Sequence, residues 1–220
     1  MVKIERTPTP PKSLEEERKK AHGSYREFDV MEQLRHDFHG KCYLCELGDV
    51  TDVQVEHLLP HHNRTIIERV FDWNNLFYSC THCNSVKNNR KYDDKILDCC
   101  KVDPELVLRQ IYSDGEVSVQ PIADDSDETV KLTADLIQSC FNQRNTGIRT
   151  IEAEERVRRL AKTMNNLYKT LENYQKNKNS RKYTGALKAM LKREYKFAAF
   201  TRQYVRDHLN DYPGLAAFVS

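Results

Sequence analysis

No apolar run in this chain approaches the roughly 20 residues needed to cross a bilayer, and the N-terminus lacks the apolar core of a secretory signal. A cytoplasmic protein with no membrane partner is therefore expected. No internal repeat is present, which argues against a solenoid or propeller. Acidic residues are scarce towards the C-terminus: residues 155–206 hold three, Glu155, Glu172 and Glu194, against fifteen Lys and Arg. That segment carries +12 in a chain whose net charge is +2, so the remainder carries −10. Segregation on this scale points to a polyanionic partner for the basic part. The region between residues 45 and 80 is poor in aliphatic side chains for its size and needs a staple. At 220 residues the chain has room for one or two domains with a real core.

The staple is visible as cysteine. Of seven cysteines, four form two C-x-x-C knuckles, Cys42/Cys45 and Cys80/Cys83, separated by 34 residues. In a reducing compartment such spacing favours metal over disulfides, and four thiolates make the closed tetrahedral shell of a structural Zn²⁺. His82 lies between two of the ligands, but the thiolates are the preferred set. Cys99, Cys100 and Cys140 read as buried thiols. Between the knuckles, Val53–Val55 alternates as a strand leading to Glu56 and His57, and Pro60 ends it. Ile66–Phe71 reads as a short helix or turn, Asp72–Leu76 as a loop entering a second strand, and Asn84–Lys91 as a helix.

Glu56, His57, Asn75 and Asn84 inside the cysteine frame resemble the HNH endonucleases, whose ββα-metal fold carries an acid–His pair, a central Asn and a His or Asn after the last Cys. The family's first residue is usually Asp and its last often His, so this chain resembles an H-N-N member with Glu in the acid position. The resemblance implies phosphodiester hydrolysis of nucleic acid, with DNA as the expected substrate. His57 is then the general base, Glu56 and Asn84 supply hard oxygen ligands to a catalytic Mg²⁺ or Mn²⁺, and Asn75 holds the loop that carries His57. Lys87, Arg90 and Lys91 are candidates for phosphate contact; His61 and His62 read as exposed loop residues, and Trp73 as core. A narrower similarity is to the HNH subunit of Septu-type antiphage systems (PtuB-like) and their retron-associated relatives. It rests on Val2–Arg6 followed by prolines, on the Cys42–Lys87 motif, on Ile96–Pro104, and on Phe141-Asn142 and the Arg156 helix. It implies a nuclease effector working with an ATPase subunit.

The flanks complete the expectation. Pro8, Pro10 and Pro11 make residues 1–14 an extended arm, a candidate for docking the ATPase. Phe28, Met31, Leu34 and Phe38 form a helical stripe closed by Gly40 at the left-handed C′ position. Asp114-Gly115 signals a type I′ hairpin between Leu106–Tyr112 and Glu116–Ile122. Asp124–Glu128 marks a solvated loop, and Leu132–Phe141 a helix. Ala153, Val157, Leu160, Met164, Leu167, Leu171 and Tyr174 make a narrow helical seam, a second candidate for docking, paired with a long helix over Leu187–Leu209. Tyr168, Tyr174, Tyr183, Tyr195 and Tyr204 sit among the basic residues and suit base stacking. The expected fold is α+β and predominantly helical: an arm and helix over 1–38, a zinc-braced ββα-metal HNH core over 39–95, a hairpin and connecting helix over 96–150, and a basic helical hairpin over 151–220. The rival readings are a non-catalytic zinc-ribbon nucleic-acid-binding module and a subunit that only docks a partner.

Overall fold

The computed structural model describes residues 1–143, 146–177 and 180–220, and its chain begins against its own core. Met1, Val2 and Ile4 are buried. The Ile4 amide donates to the Cys99 carbonyl (3.0 Å). Arg6 donates to the Leu76 carbonyl (2.6 Å) and lies over the Trp73 ring (4.3 Å), whose indole donates to the Thr7 carbonyl (2.9 Å). The first seven residues are therefore packed on this chain's own core rather than free, while Pro8, Thr9 and Pro10 stay exposed. Three apolar residues among polar ones and prolines read as a tail; burial of each makes them core. Truncating Ile4 to Ala is expected to cost about 2–5 kcal/mol in a urea melt, the range for a buried Ile and far above that for a tail.

Helix α1 (Lys12–Arg18) buries only Leu14, and α2 (Phe28–Asp37) follows. The buried stripe of α2 is Val30 and Leu34, continued by Phe38, whereas Phe28 is 75% exposed, so the apolar face is rotated from the expected one. The helix ends in a Schellman motif. His39 and Gly40 both take left-handed backbone (φ 55° and 65°), with the Gly40 amide on the Arg35 carbonyl (2.8 Å) and the His39 amide on the His36 carbonyl (3.0 Å). His39 thus holds the C′ position expected of Gly40.

The central unit is β1 (Val53–His57), α3 (Ile67–Val70), β2 (Leu76–Cys80) and α4 (Thr81–Lys87). The two strands are antiparallel, with Val53 opposite Cys80 and His57 opposite Leu76. Helix α4 begins three residues before the expected start and stops at Lys87. Its N-cap is Cys80, whose Sγ accepts the Cys83 amide (3.5 Å), so the helix nucleates on the knuckle itself. The result is strand, strand, helix around four cysteines.

Strands β3 (Leu108–Ser113) and β4 (Glu116–Pro121) form the expected hairpin, with Asp114 and Gly115 at φ 53° and 83°. Helix α5 (Glu128–Asn142) starts at an Asp127 cap, whose Oδ1 accepts the Val130 amide (2.9 Å). In α6 (Gly147–Lys176) the seam residues Ala153, Leu160, Met164, Leu167 and Leu171 are buried within the chain, while Val157 and Tyr174 are half-buried. The expected last long helix is instead α7 (Arg181–Met190) and α8 (Ala198–Asp207), before the short α9 (Ala216–Val219). Groups from elsewhere break it. Lys41 Nζ takes the Arg193 and Tyr195 carbonyls (2.5 and 2.9 Å), Arg193 is drawn to Asp103 and Glu105 (2.5 and 2.9 Å), and Glu46 Oε2 caps the restart by accepting the Ala199 amide (2.9 Å).

About half of the residues are helical, and the sheets are two small antiparallel pairs, in line with an α+β, mostly helical fold. One buried apolar cluster extends from Met1 to Val219, so the four sequence segments share a core. Among the described residues no helix is long and apolar enough to cross a membrane.

Candidate functional site

The side chains of Cys42, Cys45, Cys80 and Cys83 converge. All four are buried, and their sulfurs lie within 4.8 Å of one another, with Cys45 and Cys80 4.0 Å apart. A tetrahedral ion with metal–sulfur bonds of about 2.3 Å requires sulfurs roughly 3.8 Å apart, so the cluster can hold a metal ion such as zinc. The first knuckle is fixed to β2 by the Tyr43 amide on the Tyr78 carbonyl (3.0 Å). The second is fixed from α6: Arg156 donates to Cys80 Sγ (3.2 Å). Burial opposes the charge of Arg156, but the Cys45, Cys83 and Cys80 thiolates more than offset it and hold its pKa above the ordinary value. His82 is not a ligand. Its Nδ1 meets Glu152 Oε2 (2.6 Å) and its Nε2 meets the Cys140 carbonyl (3.0 Å), so both ring nitrogens are engaged away from the cluster.

The other predicted residues gather at the open end of β1. His57 is buried and its Nε2 faces the Val70 carbonyl (3.1 Å). A carbonyl only accepts, so Nε2 carries the hydrogen and Nδ1 keeps the lone pair. Tyr25 and His61 meet the imidazole edge-on, with ring centroids at 4.6 and 4.5 Å. Burial in this setting lowers the His57 pKa from 6.5 to about 4, against the pull of the Val70 carbonyl, so the ring is neutral at pH 7.

Asn75 holds this geometry. Its Oδ1 accepts the Leu59 amide (2.7 Å), and its Nδ2 donates to the Leu59 and Arg69 carbonyls (2.9 Å each). One buried amide therefore ties the chain two residues after His57 to the residue before Val70, whose carbonyl orients the imidazole.

Glu56 differs from expectation. Its Oε1 pairs with Lys87 Nζ (2.7 Å) and its Oε2 accepts the Tyr43 hydroxyl (2.8 Å), all three residues being buried. Burial and the Glu56 carboxylate push the Tyr43 hydroxyl well up, so it stays a donor. Lys87 also donates to the His57 and Leu58 carbonyls (3.1 and 3.0 Å). Both Glu56 oxygens are thus already engaged, so the carboxylate's charge is balanced by Lys87 within the chain. Lys87 is correspondingly not a phosphate contact; it locks the end of β1. Replacing it with Met leaves a buried carboxylate unpaired and is expected to cost about 3–5 kcal/mol, part of which Glu56→Gln in the same chain recovers. Urea unfolding of the parent and the two variants checks this.

Glu56, His57, His61, Asn84 and Lys87 line one polar cavity of about 810 Å³, with Arg26 and Arg90 also on its walls. His61 accepts the Arg64 amide at Nδ1 (2.9 Å), which puts its hydrogen on Nε2. Sequence reasoning undervalued His61 and missed Tyr25; neither has a spacing signal, because both reach His57 through loops.

Part of the basic segment is spent on internal pairing. Glu105 is buried and meets Arg193, Arg202 and Arg206, while Arg158 and Arg159 pair with Glu155. Lys162, Lys169, Arg181, Lys182, Lys188, Lys192 and Lys196 remain exposed. Tyr168, Tyr204 and His208 pack on one another (centroids 4.7 and 4.1 Å) rather than standing apart.

No protein-family model matches the chain, and no curated protein matches it.

Proposed function

We propose that this chain is a metal-dependent HNH endonuclease that hydrolyses phosphodiester bonds of nucleic acid, with DNA as the expected substrate. One observation carries the reading: a buried, neutral His57 whose Nε2–H is committed to a carbonyl, leaving the Nδ1 lone pair as the ring's proton acceptor beside a polar cavity. Phosphodiester hydrolysis needs a base for the attacking water, and an oriented imidazole with a free lone pair can take that proton. Asn75 fixes the Val70 carbonyl relative to the strand end, so the ring does not have to be reoriented at the moment of reaction. His61, with its hydrogen on Nε2, can donate to a phosphate oxygen. A Mg²⁺ or Mn²⁺ ion would supply charge stabilisation at the phosphate and the leaving oxygen. Asn84 and Glu56 are oxygen ligands the cavity offers it, the Glu56 carboxylate being shared with Lys87. The four-cysteine cluster is proposed to hold structural Zn²⁺, giving the strand–strand–helix unit the form of a ββα-metal core.

Resemblance to the Septu-type subunits extends the proposal to antiphage defence with an ATPase partner in the cytoplasm. Met1, Val2, Ile4 and most of the α6 seam are buried in this chain's own core, so the exposed stretch Pro8–Pro10 is the part of the N-terminal segment left for that interaction.

The closed Glu56–Lys87 pair favours one second reading, a zinc module that binds nucleic acid or a partner without cutting. Purified protein, with and without the ATPase, incubated with plasmid, single-stranded DNA and RNA in Mg²⁺ or Mn²⁺ separates the two. Metal-dependent cleavage is the result expected. Salt-sensitive binding with no cleavage under any of these conditions is the result of the second reading.

A further inference from the structure

Helix α6 grips α4 along one face. Arg149, Glu152 and Arg156 follow at spacings of three and four, so they share a side of the helix. Arg149 donates to the Ser85 hydroxyl and carbonyl (3.0 and 3.3 Å), Glu152 meets His82 (2.6 Å), and Arg156 reaches Cys80. Only the last of these contacts touches a metal ligand. Arg156 is 7% exposed, its second terminal nitrogen is committed to the Glu152 carbonyl (2.7 Å), and its Nε is buried without a hydrogen-bond partner. A long cation is thus taken out of water, leaving one donor unsatisfied, to place a charged N–H on a sulfur. Burial of that kind is costly unless something of opposite charge repays it.

The cysteine cluster supplies that charge. Four thiolates around a divalent ion carry a net charge of −2 in a buried site. Among the described residues, Arg156 is the cation that hydrogen-bonds one of the sulfurs; the other contacts are the Cys83 amide on Cys80 and the Ser79 hydroxyl on Cys42. We propose that Arg156 is a positioning residue of the zinc centre: it lowers the electron density on the Cys80 thiolate, keeps that ligand from being protonated or exchanged, and makes α6 part of the metal site. This rests on zinc occupying the four cysteines but not on the nuclease reading.

Outer hydrogen-bond partners of metal ligands typically contribute about 10–100-fold in metal affinity. Arg156→Met and Arg156→Gln are therefore expected to release zinc to a colorimetric chelator roughly 10-fold faster or more. Arg156→Lys, which keeps the charge but has less reach, should fall between them and the parent. Arg159→Gln, on an exposed pair of the same helix, should match the parent. A second readout separates charge donation from simple packing. In the cobalt-substituted protein, removing a positive charge from the sulfur raises its lone-pair energy, so the thiolate-to-cobalt absorption band should move to longer wavelength in the Met and Gln variants. The d–d bands, which report tetrahedral geometry, should stay in place. Parent-like zinc release together with an unmoved charge-transfer band in either neutral variant overturns the proposal. If neither neutral variant folds, the Lys variant decides: parent-like release and an unmoved band count against the role, and intermediate release with a smaller shift supports it.

Discussion

Replacing Cys80 or Cys83 with Ser is expected to abolish zinc binding and the cooperative melt of the strand–strand–helix unit together. Structural zinc contributes about 10–16 kcal/mol in small metal-dependent domains at neutral pH, comparable to or larger than the roughly 5–15 kcal/mol net stability of a whole protein. Cys80 stands at the junction of β2 and α4, and its sulfur caps the helix. Losing the ion there releases the strand end, the helix start and the Arg156 contact at once, and α4 carries Lys87, which locks β1. Circular dichroism melting with elemental analysis, on the variants and on parent protein with a strong chelator, checks this. An unchanged melting temperature in protein free of zinc would falsify the assignment of the four cysteines.

The second large effect is on rate. His57→Ala is expected to slow phosphodiester cleavage by about 10²–10⁴-fold, the usual contribution of a positioned base, while zinc content stays at the parent level. The imidazole lies at the far end of β1 from the knuckles, with Val53 rather than His57 opposite Cys80, so its removal leaves the cysteine frame intact. Asn75→Ala should also slow cleavage, but with a lower melting temperature, because the buried Leu59 and Arg69 groups lose their partner. Single-turnover cleavage with Mn²⁺ reads both. Parent-like rates in His57→Ala would remove the residue from the mechanism.

The metal frame was legible in the sequence because ligand spacing is local: two knuckles announce themselves whatever surrounds them. The strands and hairpin were legible for the same reason, and Asp114-Gly115 specified its turn almost alone. What the sequence concealed was long-range pairing. Lys87 looks like any helix-end lysine until Glu56 is brought to it from 31 positions away. The break between α7 and α8 has no Gly or Pro to mark it; Lys41, Glu46 and Glu105 make it by taking over backbone and side-chain groups from outside. The +12 count described formal charge, whereas Arg193, Arg202 and Arg206 are spent on one buried carboxylate. The N-terminal arm was misjudged for a related reason, since burial of Met1, Val2 and Ile4 depends on a core assembled from residues far along the chain.

The protonation state of His57 is the point on which the catalytic proposal turns. With a folded-state value of about 4, below the ordinary 6.5, the unfolded chain takes up this proton first as the pH falls. The group's favourable contribution to stability is therefore present above about pH 6.5 and lost as the pH falls towards 4. The most direct measurement is a long-range ¹H–¹⁵N correlation spectrum of the histidine rings, assigned with His57→Ala and followed through a pH titration. The proposal predicts a neutral His57 ring at pH 7 with its hydrogen on Nε2, an unprotonated Nδ1, and a midpoint near 4. A hydrogen on Nδ1 at neutral pH, or a ring that becomes charged near pH 6.5, contradicts it.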